Sequence, residues 1–173
     1  GYQEPGASTG SLWLDALTVT DAGTGKACVD GGAFEPVDPN AIEPVFAWAD
    51  WDAAMERAFA TYHFNSFVMH IDGLGGGTFQ SRYEPNFMGF RESDPEYDVL
   101  FGKYLKGIEA HLRDKGWLDK AYVYWFDEPD PKDYAFVMNG FAKLKKHAPA
   151  LRRMLTEQIE TELVGGPNLW CPL

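Results

Sequence analysis

The pattern of apolar and polar positions along this chain changes its period near residue 44. Upstream, Gly10-Ser11-Leu12-Trp13-Leu14-Asp15-Ala16-Leu17-Thr18-Val19-Thr20 is β-prone. Asp21-Ala22-Gly23-Thr24-Gly25 reads as a turn, and Lys26-Ala27-Cys28-Val29 as a returning strand. A lone hairpin is barely stable in water, so this one is expected to end a β-sandwich whose other strands lie upstream. Glu35-Pro36-Val37-Asp38-Pro39 has linker character. The expected division is 1–38 as the end of a sandwich module with its linker, and 39–173 as a second domain.

Beyond residue 44, strand patterns alternate with helix patterns. Asp50 is placed to cap a helix whose apolar positions Trp51, Met55, Phe59 and Tyr62 recur every three or four residues. Ser66-Phe67-Val68-Met69-His70-Ile71 is nearly continuous in apolar residues, as a parallel strand covered on both faces would be. A long loop is expected from Asp72 to about Asp94. Ser93 and Glu96 have capping-box spacing, Pro95 suits a first turn, and Gly116 suits a helix end. Between them Tyr97, Leu100, Tyr104, Ile108 and Leu112 mark one face of a long helix. A strand over 121–126 follows, then a helix opened by Pro131 and stopped before Pro149, with Tyr134, Val137, Met138, Phe141 and Leu144 as its buried stripe. Arg152-Arg153-Met154-Leu155-Thr156 and Asn168-Leu169-Trp170-Cys171 read as two further strands.

Strands separated by helices imply βαβ units and a parallel sheet. The expected fold class is α/β, with about four βα units of a (β/α)8 barrel. An open doubly wound sheet is the alternative. The barrel is preferred because no glycine-rich βα turn of the nucleotide-binding kind is present. Gly73-Leu74-Gly75-Gly76-Gly77 lacks the Gly-Lys-Ser/Thr of a phosphate loop and opens a long loop rather than a helix. A complete barrel needs roughly 250 residues. This chain has 173 and begins Gly-Tyr-Gln, so it reads as a piece of a longer protein.

Charge narrows the partners. A net charge of −11, from 26 acidic and 15 basic residues, repels phosphate backbones and makes nucleic acid an unexpected partner. No apolar run approaches the ~20 residues of a membrane-spanning helix. Cys28 and Cys171 match no metal spacing, and neither a metal nor a cofactor is called for. Aromatic residues make up 15 % of the chain, with six Trp, a bias towards carbohydrate because indole and phenol faces stack on sugar rings.

The candidate chemistry lies at strand ends. Tyr122-Val123-Tyr124-Trp125-Phe126 runs directly into Asp127-Glu128-Pro129. Burying carboxylates is costly unless they are paired or used, so aromatics leading into two acids call for a reason. The C-terminal end of a barrel strand is where catalytic groups of that fold sit. Other strand ends contribute His70 and Asp72, then Glu157, then Trp170. The plainer alternative is that the acids favour the start of the following helix through its dipole.

Tyr124-Trp125-Phe126-Asp127-Glu128-Pro129, followed about thirty residues later by Leu155-Thr156-Glu157, resembles the catalytic barrel of glycoside hydrolase family 123. The resemblance covers roughly residues 40–173, and the hairpin at 10–35 is similar to the end of the sandwich preceding such barrels. It implies cleavage of β-linked N-acetylhexosamine, N-acetylgalactosamine in particular, by a retaining, substrate-assisted route. It further implies a bacterial protein that is secreted, periplasmic or on the cell surface, with an oligosaccharide or glycan as substrate. On this resemblance Glu128 is the general acid/base, and Asp127 orients the 2-acetamido group and stabilises the oxazolinium ion. Because the acetamido oxygen is the nucleophile, no second enzyme carboxylate is needed across the ring, unlike the usual two-carboxylate geometry.

Five further residues are candidates for substrate binding. Trp125 is either a floor for the sugar or barrel core. His70 either bonds a sugar hydroxyl or is satisfied by backbone. Tyr83 is a candidate lid residue in the long loop, Glu157 a hydroxyl ligand, and Trp170 a stacking platform. Two other functions compete. One is a two-carboxylate retaining glycosidase with Glu128 as acid/base; such enzymes carry Asn-Glu-Pro, and Asp127 in place of that Asn counts against it. The other is a carbohydrate-binding barrel without turnover.

Overall fold

The computed structural model describes residues 19–20, 22–24, 27–29, 38–78 and 82–172. The chain divides into two compact units, Gly1–Asp38 and Pro39–Leu173. In the first, strands β1 (Val19–Thr20) and β2 (Ala27–Val29) pair antiparallel around a turn at 22–24. Residues 10–18 of the strand expected over 10–20, and 35–37 of the linker expected over 35–39, lie outside the described residues.

The second unit opens with α1 (Trp48–Tyr62). This helix starts two residues before Asp50, which therefore lies in the first turn, where its charge favours the helix dipole rather than capping. Trp51, Met55 and Phe59 are half-buried against the core as expected, whereas Tyr62 is exposed. Left-handed His63 ends the helix. Strand β3 (Phe67–Val68) follows and is shorter than the expected 66–71 run. Among the described residues it pairs on one side only, and Val68 is exposed.

The long loop is more ordered than its sequence suggests. It contains β4 (Gly76–Thr78) and β5 (Arg82–Tyr83), paired antiparallel, and a hairpin of β6 (Asn86–Phe87) and β7 (Phe90–Arg91). Glycine permits this. At Gly75, with φ +70°, an added Cβ would lie 2.5 Å from the Tyr83 carbonyl oxygen, so only glycine lets the chain pass so close.

Helix α2 (Pro95–Asp114) has Asp94 at its N-cap and Pro95 in its first turn, one residue later than the Ser93/Glu96 reading. The Asp94 carboxylate instead accepts the Arg91 N–H at 2.8 Å. Tyr97, Leu100, Ile108 and Leu112 are buried as the period predicts, joined by Phe101 and Leu105. Gly116, with φ +69°, ends the turn that follows.

The expected strand over 121–126 is interrupted. Strand β8 (Ala121–Val123) stops before Tyr124, and β9 (Phe126–Asp127) resumes after Trp125. A 3-10 turn, Pro131–Asp133, then leads into α3 (Tyr134–His147), which ends before Pro149. Val137, Phe141 and Leu144 are its buried face. Strands β10 (Arg152–Leu155) and β11 (Leu169–Trp170) follow, joined by a connection with a 3-10 turn instead of an α-helix.

The result is a mixed α/β unit. Its four-stranded parallel sheet has the order β11-β10-β8-β3, and β9 continues between β4 on one side and Thr156 on the other. Burying one Leu or Phe stabilises by about 1.5–3 kcal/mol, and α2 and α3 each contribute several such residues to one shared core. None of the described helices is long and apolar enough to cross a membrane.

An ion pair ties α2 to α3. Asp98 accepts from Lys146 Nζ at 2.8 Å and lies 2.9 Å from His147 Nε2, and these bonds, the lysine's foremost, hold its carboxyl below the ordinary range. A depressed acid stabilises the fold above its unfolded pKa and loses that contribution as pH falls through its folded one. Asp98→Asn is therefore expected to lower the melting temperature at pH 7 by a few degrees at most, since exposed pairs contribute about 0.2–1 kcal/mol. The difference from wild type is expected to vanish as the pH drops below the carboxylate range. A gap that persists unchanged at pH 2 would show that the pair does not set it.

Candidate active site

The break between β8 and β9 is what shapes the site. Tyr124 leaves the strand pairing, and its hydroxyl reaches forward three residues to donate to Asp127 Oδ1. The same carboxylate oxygen accepts from Thr156 Oγ1 at 3.1 Å, across the parallel bridge between Asp127 and Thr156. The two hydroxyl oxygens are themselves 3.1 Å apart. Each hydroxyl has one proton, and the carboxylate is the strongest acceptor in reach, so both protons point to Asp127. No described residue bonds Asp127 Oδ2.

Burial, first of all, and the bond to Asp127 raise the Tyr124 pKa above its ordinary value. The phenol thus keeps its proton throughout neutral and mildly alkaline solution, and the donor to Asp127 persists there.

Glu128 is one of three non-glycine residues with positive φ among the described residues, at +42°. It precedes Pro129, and a residue before proline is normally held to extended backbone. The corner is therefore strained, by about 1–3 kcal/mol for such outliers. Adjacent residues of a regular strand send their side chains to opposite faces. The left-handed turn at Glu128 ends the pleat and lifts that constraint on the Asp127–Glu128 pair. The Glu128 amide donates to Thr156 Oγ1 at 3.2 Å. The Glu128 carboxylate is half-buried and has no hydrogen bond or ion pair to any described residue.

The other predicted residues are spread more widely. Tyr83 is exposed on β5, yet its ring covers Gly76 of β4, the strand paired with β9. His70 is exposed beside Asp72, with Nε2 3.1 Å from Oδ1, so a side chain rather than backbone is its partner. Glu157 is half-buried next to Thr156, its Oε1 accepting the Gln158 N–H at 2.7 Å. Trp170, opposite Leu155 across the sheet, is half-buried against the core. Trp125 lodges on α3: its indole contacts Phe136 and Phe141 at centroid distances of 5.5 and 6.1 Å and lies over Gly140. Its Nε1 is buried with no hydrogen-bond partner.

A second contact fastens the loop to the site. Arg82 on β5 donates to the buried Asp133 at 3.0 Å and lies over the Phe136 ring at 4.9 Å. The hairpin bearing Tyr83 is thereby tied to the turn that follows Asp127 and Glu128. Among the described residues no group of His, Cys, Asp or Glu is arranged to hold a metal ion.

Residues 54–159 match the family described as "Glycoside hydrolase 123, catalytic domain". The chain belongs to the glycoside hydrolase 123 family. The match covers more than half of the chain and contains Asp127, Glu128, Tyr124 and Thr156, while Trp170 lies outside it. The family identifies the domain as that of a glycoside hydrolase, with a carbohydrate substrate. No curated protein matches the chain.

Proposed function

We propose that this domain hydrolyses β-linked 2-acetamido-2-deoxyhexosides, N-acetylgalactosides in particular, with retention of configuration and the substrate's own acetamido group as nucleophile. The observation that carries the proposal is the unequal use of the Asp127 oxygens. Oδ1 is engaged by Tyr124 and Thr156, which leaves Oδ2 as the acceptor for a substrate N–H.

In the first step Glu128 gives its proton to the glycosidic oxygen as the acetamido oxygen attacks the anomeric carbon. The bond to the leaving group breaks and an oxazolinium ion forms. Asp127 accepts a hydrogen bond from the acetamido N–H and offsets the positive charge of the ion. Glu128, now ionised, takes a proton from water, which attacks the anomeric carbon and reopens the ring. Protons balance: one goes to the leaving alcohol, and one returns to Glu128.

We further infer that the domain is part of a (β/α)8 barrel. The sheet order β11-β10-β8-β3 runs monotonically along the chain, without the reversal at which doubly wound sheets bind ligands. A partial (β/α)8 barrel accounts for that order, with Asp127, Glu128 and Thr156 at the C-terminal ends of neighbouring strands. A secreted, periplasmic or cell-surface location is part of the same proposal.

The test compares aryl β-glycosides that differ only at position 2. Cleavage of the 2-acetamido substrates at a rate at least ~100-fold above the 2-hydroxy ones is expected, with inhibition by a thiazoline analogue of the oxazolinium. Efficient cleavage of the 2-hydroxy substrates alone would sink the substrate-assisted route and leave the two-carboxylate mechanism.

A further inference from the structure

Thr156 touches both members of the acidic pair from a different strand. It immediately follows β10, and its Oγ1 lies 3.1 Å from Asp127 Oδ1 and 3.2 Å from the Glu128 amide nitrogen. A hydroxyl has one proton and two lone pairs, so it can donate to the carboxylate and accept from the amide at once. No other described side chain bonds both residues. Tyr124 reaches Asp127 but has no bond to Glu128.

The two bonds have separate consequences. The bond to Asp127 fixes the rotation of its carboxylate, so that Oδ1 faces the protein. The bond from the Glu128 amide satisfies a donor at a left-handed corner that local geometry disfavours. Threonine suits the task because β-branching restricts χ1, and the hydroxyl position then follows from the backbone beyond β10. Thr156 is partly buried, and its hydroxyl proton is committed to Asp127.

We propose that Thr156 is a positioning residue for hydrolysis. It holds the Asp127 carboxylate and the Glu128 corner in one geometry and acts through them. The inference rests on the assignment of Asp127 and Glu128 made above, and goes beyond it in giving the neighbouring strand a defined catalytic task.

Three variants of the full chain test it: Thr156→Val, which keeps the shape and loses the hydroxyl; Thr156→Ala; and Thr156→Ser, which keeps the hydroxyl. Kinetics are measured on whichever of the 2-acetamido and 2-hydroxy aryl glycosides the wild type cleaves. A failure of the substrate assignment is thereby seen separately from a failure of this proposal. Thr156→Val is expected to lower kcat by about 10- to 100-fold, the worth of a hydrogen bond to a charged group, with KM changed less than about threefold. Thr156→Ser is expected to recover most of the loss. In an Asp127→Ala background Thr156→Val should cost clearly less than in the wild type, because residues acting as a unit are not additive and only the bond to the Glu128 amide is left to lose.

Amide hydrogen exchange supplies a readout independent of turnover. Exchange at Glu128 is expected to quicken at least about tenfold in the valine and alanine variants and to stay near wild type in the serine one. If valine is poorly folded, the alanine variant takes its place. Wild-type kcat in both hydroxyl-less variants, full additivity with Asp127→Ala, or unchanged exchange at Glu128 would each overturn the proposal.

Discussion

Glu128→Gly is expected to lose about 10^3-fold or more in hydrolysis while melting at the same temperature as the wild type or a few degrees higher. The two halves have separate causes. A positioned acid/base contributes about 10^2- to 10^4-fold, and Glu128 is proposed to act in both steps. The stability half follows from φ +42° before Pro129, a conformation that costs a non-glycine residue about 1–3 kcal/mol. Glycine adopts it freely, at the expense of about 0.5–1 kcal/mol in unfolded-state freedom. The relief is the larger effect, so the net change favours the variant.

Leaving-group chemistry sharpens that expectation. An aryl glycoside whose phenol departs without protonation does not need the acid in the first step. The loss in Glu128→Gly is therefore expected to shrink markedly on a dinitrophenyl glycoside. Asp127→Ala is expected to lose several orders of magnitude on both substrates, because the charge it offsets is present whatever leaves. A Glu128→Gly protein retaining a tenth of wild-type activity on ordinary substrates would remove Glu128 from the acid role. One melting more than a few degrees lower would remove the strain argument.

The acidic pair was legible because it broke a local rule: a run of aromatics ended on adjacent charges. Its supports were not. Tyr124 reads as part of an aromatic strand, but its importance comes from leaving the strand pairing, which a run of β-prone residues conceals. Thr156 stands 29 positions from Asp127, and a threonine after Leu155 has the look of ordinary strand composition until the two backbones are side by side. The signal available was the pairing of two motifs, Asp-Glu-Pro and Leu-Thr-Glu, at the ends of successive strands.

The long helices were legible for a different reason. Apolar residues of α2 recur at the helical period over 20 residues, so an error of one residue at the cap changes little. Two-residue strands carry no comparable period. β4 in particular is built mainly from glycines, residues that read as loop, and it is a strand because β9 and β5 offer it partners on both sides. Such pairing is tertiary information. The same applies to Arg82, whose bond to Asp133 spans 51 positions.

Replacing Trp125 distinguishes a floor for the sugar from a core residue. Trp125→Ala is expected to destabilise the fold by about 3 kcal/mol, the loss of a large ring plus the cavity left behind. Trp125→Phe should cost less, since it retains an aromatic contact with α3 and removes an indole N–H that is buried without a partner. Gly140→Ala gives the complementary test. In a helix interior that change ordinarily stabilises by about 1 kcal/mol. Here the new Cβ would lie 2.6 Å from Trp125 Cη2 and closer still to Cζ2, so indole or helix must shift, and overpacking costs about 1–3 kcal/mol. The clash outweighs the propensity, and the variant is expected to melt lower. In the Trp125→Phe background the smaller ring leaves room for the methyl, and most of the penalty should disappear, a coupling read directly from thermal melts. If Trp125→Ala instead melts within a degree of wild type and raises KM many-fold, the indole is a sugar platform and not a wedge under α3.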